Sequence, residues 1–207
     1  MHEHFSRLRP QMLPDEALTA VLGPTVHAAR GKTVEMATDF APQYAGGGVE
    51  GLTDGELATT DFHDSAWQGY HGVDLEATID LKTPQPIRQV SVRFLQDVSV
   101  GIFLPTFVDV ALSSDGRNFE PPVTLKPDVS EREAGPLIKT LAAELDPRPA
   151  RFIRVQARNL GLIPDWHTAR REKAWLFVDE ILVNPSASPG PSEIPGPARS
   201  GVKGGLP

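Results

Sequence analysis

Leu75, Ala77, Ile79 and Leu81 alternate with Glu76, Thr78 and Asp80. A period of two is what a half-buried strand needs, because successive side chains leave its backbone on opposite faces. The same pattern returns in Val90, Val92 and Phe94 against Gln89, Ser91 and Arg93, and again in Ile153, Val155 and Ala157 against Arg154 and Gln156. Val108, Val110 and Leu112 form a further strand, ended by Ser113-Ser114-Asp115-Gly116, a hairpin turn. Trp175 to Val183 is almost continuously apolar, which predicts a central strand covered on both faces. Short strands separated by turns predict an all-β fold, an antiparallel sandwich or jelly roll.

Outside this β region the pattern changes. Asp15–Leu22 lies between Pro14 and Gly23-Pro24, with acidic residues in its first turn, and predicts a short helix in a lead-in segment, residues 1–26. Residues 185–207 are Pro-, Gly- and Ser-rich with little to bury, and predict a disordered tail. The sandwich is expected over 27–184.

Composition narrows the function classes. There is no cysteine, so thiolate metal sites and disulfides are excluded. A formal net charge of -7 argues against a nucleic-acid partner, which needs a concentrated basic surface. No apolar run approaches the roughly 20 residues of a membrane span, and Met1–Phe5 lacks the plan of a signal peptide. The chain is therefore expected to be intracellular, or else a piece of a longer exported protein, extracellular or periplasmic.

Two segments stand out as candidate chemistry. Gly46–Gly55 is a glycine-rich loop closing on Asp54-Gly55, and the strand Trp175–Val183 carries Asp179-Glu180 in its middle. Together they read as a metal clip in a sandwich whose first and last strands meet. Period two places Ile181 and Val183 on the face of Asp179, with Glu180 on the other.

Read in order, the motifs resemble a known family. They are Arg30-Gly31-Lys32-Thr33-Val34, Leu52-Thr53-Asp54-Gly55, Trp67-Gln68-Gly69, Ile79-Asp80-Leu81, Ser113 to Phe119 and Glu180-Ile181-Leu182-Val183. This series resembles the discoidin, or coagulation-factor type C, domain, a galactose-binding-like jelly roll. Tyr44 to Gly48, Pro164-Asp165-Trp166-His167 and Ala174 to Ile181 sharpen the likeness. They resemble the version appended to the C-terminus of bacterial β-N-acetylhexosaminidases of chitobiase type. The resemblance covers about residues 27–184.

It implies a non-catalytic accessory module that binds carbohydrate, of a kind containing N-acetylglucosamine or galactose, or packs on a glycoside hydrolase catalytic domain. A protein or cell-surface adhesion module is the alternative, and a hydrolase fragment carrying its parent's activity a third. It also implies a structural Ca²⁺ held by Asp54 and Glu180, with Leu52 and Glu56 offering carbonyls and Thr59 a hydroxyl or carbonyl. Otherwise Asp54 caps a turn and Glu180 forms a surface pair. Thr60-Asp61 departs from the family's Thr-x-Trp.

Trp67, Phe94, Trp175 and Phe177 are expected in the core. Candidate sugar contacts are Tyr70 and His71, in the loop after Trp67, and Trp166, His167 and Arg170, in the loop before the last strand; Trp166 could instead plug the end of the sandwich. No catalytic motif is present. The six histidines have no zinc-binding spacing, and no Gly-x-Ser-x-Gly elbow occurs. Asp179-Glu180, as strand neighbours, cannot flank a glycosidic bond.

Overall fold

The computed structural model describes residues 25–186, so the expected helix at Asp15–Leu22 and nearly all of the expected tail lie outside the described residues. Seven strands form: β1 Thr33–Met36, β2 Gln68–His71, β3 Leu75–Gln96, β4 Val108–Ser113, β5 Val123–Leu125, β6 Leu137–Ala157 and β7 Trp175–Val183. All pairings between these strands are antiparallel, in the order β2-β7-β3-β6-β4-β5, with β1 also on β3. Three short 3₁₀ turns, Pro42–Tyr44, Val49–Thr53 and Val98–Val100, are the only helical elements among the described residues.

One continuous ladder becomes a two-layer sandwich because β3 and β6 each serve both layers. Residues 75–80 of β3 pair with 152–157 of β6, which in turn pair with β4, and 77–80 also pair with β1. Residues 89–96 of β3 pair with 137–144 of β6, and positions within 90–95 also pair with β7. Between the halves the register breaks at Asp80/Gln85 and at Ile87/Gln89. Pro84, Pro86, Pro147 and Pro149 sit in these bends, and Pro86 faces Pro149. Proline has no N–H for a ladder, so it is placed where the ladder turns a corner. What the alternation predicted as two strands, at 75–81 and 90–94, is one strand bent in the middle.

The alternation itself holds. Leu75, Ala77, Ile79, Val90, Val92, Phe94, Val108, Ile153, Val155 and Ala157 are all fully buried in the core between the layers. β7 is covered on both faces as expected. Leu176, Val178, Ile181 and Val183 enter the central core, while Phe177 joins Ala58, Trp67, Leu95 and Ile102 beneath the segment that joins β1 to β2. The first and last strands do not pair: β1 lies on β3, and β7 lies between β2 and β3. Contact with β7 comes instead from the Val49–Thr53 turn and from the segment ahead of β1, where the Ala28 N–H donates to the Val183 carbonyl at 2.7 Å.

Tyr70 and His71 were expected in a loop, but they belong to β2, paired with Leu176 and Trp175. The segment 68–71 is too short and too polar for period two to register.

Candidate functional site

The carboxylate pair in β7 sits at a break in strand register. Val92 pairs with Ile181 but Phe94 pairs with Val178, so Asp179 and Glu180 together face the single residue Arg93. This is a β-bulge, which re-aims side chains. It overturns the simple parity argument, because Ile181 and Val183 share the central core with Leu176 and Val178.

The two carboxyls go to different loop positions. Asp179 Oδ2 lies 2.7 Å from an Arg93 guanidinium nitrogen and accepts the Ala58 N–H at 2.9 Å. Glu180 Oε2 accepts the Gly55 N–H at 2.9 Å. Both residues are 1% exposed or less. Burial pushes Asp179 up to about 7 against the pull of Arg93 and the Ala58 N–H. Burial pushes Glu180 up to about 9, with the neighbouring Asp54 carboxyl adding to the rise. Sealed and bonded to loop N–H groups, neither carboxyl can reach a substrate.

The residues expected around a calcium ion fit it poorly. Asp54 and Glu180 do approach one another. However, Asp54 Oδ1 already accepts the Glu56 N–H at 2.7 Å, and the Asp54 carbonyl accepts the Arg30 Nε–H at 3.0 Å. The Thr59 hydroxyl donates to Asp64 at 3.0 Å, and its carbonyl accepts the Trp67 indole N–H at 2.9 Å. Glu180 Oε1 is faced by His27 Nε2 at 2.9 Å. Among the described residues no three His, Asp or Glu side chains are grouped as a metal site. Ca²⁺ takes six to eight oxygens, and here nitrogen donors have reached many of the available oxygens first.

A second region lies at one end of the sandwich. Strand directions bring four connections there: 72–74, 97–107, 126–136 and 158–174, each joining one layer to the other. Between them lies a cavity of about 290 Å³, lined by Gln96, Phe103, Thr106, Lys126, Glu131 and Leu160 among others. That is near the lower end of the roughly 300–1,000 Å³ common for small-molecule sites. Trp166 stands half-buried beside it, its indole N–H donating to Glu131 at 3.1 Å and the Arg132 guanidinium 4.6 Å above its ring.

Of the expected sugar contacts, Trp166 and the exposed Arg170 belong to this end, and exposed His71 reaches it stacked on Trp175 at 4.3 Å. Tyr70 is fully buried and does not face solvent. Its hydroxyl donates to Gln68 Oε1 at 2.7 Å, and burial pushes the phenol pKa up. It orients Gln68, whose Nε2 donates to the Gly48 carbonyl at 2.5 Å and so fixes the glycine loop. His167 is buried too; its Nε2 lies 2.7 Å from the Val98 carbonyl and its Nδ1 accepts the Ala169 N–H. It fastens the 158–174 connection to the 97–107 connection. Lys126, Glu131 and Arg132 were not found from sequence, because the β5–β6 connection that carries them has no motif.

No family model and no curated protein matches this chain. Solved structures do. A fucose-binding module from Streptococcus pneumoniae aligns at 15% identity, covering 78% of this chain and 96% of that one, with a TM-score of 0.54. The lectin domain of lectinolysin, complexed with Lewis B antigen, aligns at 18% identity over 80% and 100% of the two chains, with a TM-score of 0.53. The fold is thus the antiparallel, galactose-binding-like β-sandwich of these carbohydrate-binding modules.

Proposed function

We propose that this chain is a non-catalytic carbohydrate-binding module that seats a sugar at the four-connection end of the sandwich. The observation that carries this reading is the half-buried Trp166 beside a small cavity, flanked by Glu131 and Arg132, with the exposed Arg170 on the same connection. A pyranose offers an apolar face to an aromatic ring and hydroxyls to charged groups; the charged groups are in place here, and stacking on Trp166 requires Arg132, which lies over its ring, to swing aside. The sugars named for the similar structures, fucose and the Lewis B antigen, are bound by modules of the same fold. With the sequence resemblance to hexosaminidase-appended domains, the natural setting we propose is beside a β-N-acetylhexosaminidase-like catalytic domain of an exported protein.

Titration calorimetry with oligomers of N-acetylglucosamine, galactose and fucose is the direct test. Trp166→Ala is expected to weaken binding about 10- to 100-fold, as loss of one aromatic contact worth about 1.5–3 kcal/mol would do. An unchanged affinity in Trp166→Ala would remove the sugar from this end.

A second reading also has support. Val73, Val100 and Leu162 are 41%, 44% and 60% exposed on the same connections. An apolar rim suits packing against a catalytic domain. Failure to bind any of these glycans, together with tight association to a hexosaminidase barrel, would favour it.

A further inference from the structure

The segment Thr25–Gly31, ahead of β1, supplies nitrogen donors to the clip. Its N–H groups take three consecutive carbonyls of the loop: Thr25 N–H donates to Gly55 at 2.9 Å, Arg30 Nε–H to Asp54 at 3.0 Å and Gly31 N–H to Thr53 at 2.7 Å. His27 enters the clip itself. Its Nδ1 accepts the Val183 N–H at 3.4 Å, which leaves Nε2 to carry the proton of the neutral ring. That Nε2 lies 2.9 Å from Glu180 Oε1, both side chains 0% exposed. The contact falls outside hydrogen-bond geometry, so neither buried atom has a hydrogen-bonding partner; the two are held by close apposition alone, with the Asp54 carboxyl also beside Glu180.

We propose that His27, together with Thr25, Arg30 and Gly31, closes this clip in the role a calcium ion would have, and that the domain holds no structural calcium. Calcium is a hard cation that selects oxygen, whereas the group facing Glu180 is an imidazole nitrogen. A metal would have to displace His27 and break the Gly55 N–H contact to reach both Glu180 oxygens. This staple is independent of whether the far end binds sugar.

Thermal melting of the full chain in chelator and in calcium chloride, with metal analysis of the purified protein, tests the proposal. The parent is expected to melt within about 1 °C in both conditions and to carry no stoichiometric calcium. His27→Ala is expected to melt about 4–10 °C lower, and His27→Gln, which keeps an N–H near the Nε2 position, to recover much of that loss. A fall of several degrees in chelator that calcium reverses would overturn the proposal, as would a His27→Ala chain that melts like the parent. Should His27→Ala not fold, the calcium response of the parent and of His27→Gln still decides.

Discussion

Arg93→Met is expected to destabilise the domain by about 3–5 kcal/mol, because it leaves a buried carboxylate without its counter-charge. Asp179 is 1% exposed, and beside Arg93 its Oδ2 has only the Ala58 N–H. Arg93 also donates to the Ala58 carbonyl at 3.2 Å, so the variant frees the covering loop at the same point. Replacing both charges, as in Arg93→Met with Asp179→Leu, is expected to recover most of the loss, since no uncompensated charge then remains.

The pH dependence gives this prediction a distinct signature. Burial already raises Asp179 from 3.8 to about 7 against the opposing pull of Arg93. Removing Arg93 removes that pull, so the carboxyl holds its proton to still higher pH. A group whose folded pKa is raised binds more protons folded than unfolded, so its contribution to stability falls as pH rises above the unfolded value. The deficit of Arg93→Met relative to the parent should therefore be small at about pH 5 and large at about pH 8. Urea melts of both chains at the two pH values measure it; Glu180, which Arg93 also pulls down, shifts in the same direction as Asp179, and groups remote from Arg93 cancel in the difference. A deficit independent of pH would show that Asp179 is not its origin.

The parts of the fold that sequence made legible are those governed by local period. Leu75–Leu81, Val90–Phe94 and Ile153–Ala157 alternate because each strand has one face in the core, and β7 is continuous because it has two. The joining of strands across the Pro84-Pro86 and Pro147-Pro149 bends was not legible, since proline reads locally as a break. Nor was the bulge at Asp179-Glu180. Period two assumes an unbroken register, and one extra residue inverts every assignment beyond it.

The candidate sites divide in the same way. Trp166 and Arg170 lie at the end of the sandwich where we propose the sugar binds, whereas Tyr70 and His167 serve as internal fasteners. A side chain's type does not disclose whether a buried carbonyl or amide lies waiting for it. His27 was missed for the same reason, since Glu180 is more than 150 residues away in sequence.

Gly51→Ala is expected to cost about 4 kcal/mol or more, at the exceptional end of single substitutions. A Cβ at Gly51 would fall 1.6 Å from the Gly46 carbonyl oxygen. Gly46 cannot retreat. It has φ +49, and the space where its own Cβ would stand is filled by backbone of Ala66, Trp67 and Gln68 at 2.7–2.9 Å. Gly48 is the control: it has φ +78 and ψ -160 with nothing within 4 Å, so Gly48→Ala should cost only the backbone strain of that glycine-favouring region, about 1–3 kcal/mol. The difference between the two isolates steric closure from backbone conformation. It should appear in urea midpoints and in faster amide exchange at Gly55 and Ala58, whose N–H groups bind Glu180 and Asp179. Equal effects for the two variants would mean that the loop has room to rearrange. Larger damage at Gly51, with exchange rising at both amides, would show that close packing of the glycine loop is what presents its amides to the bulged carboxylates of β7.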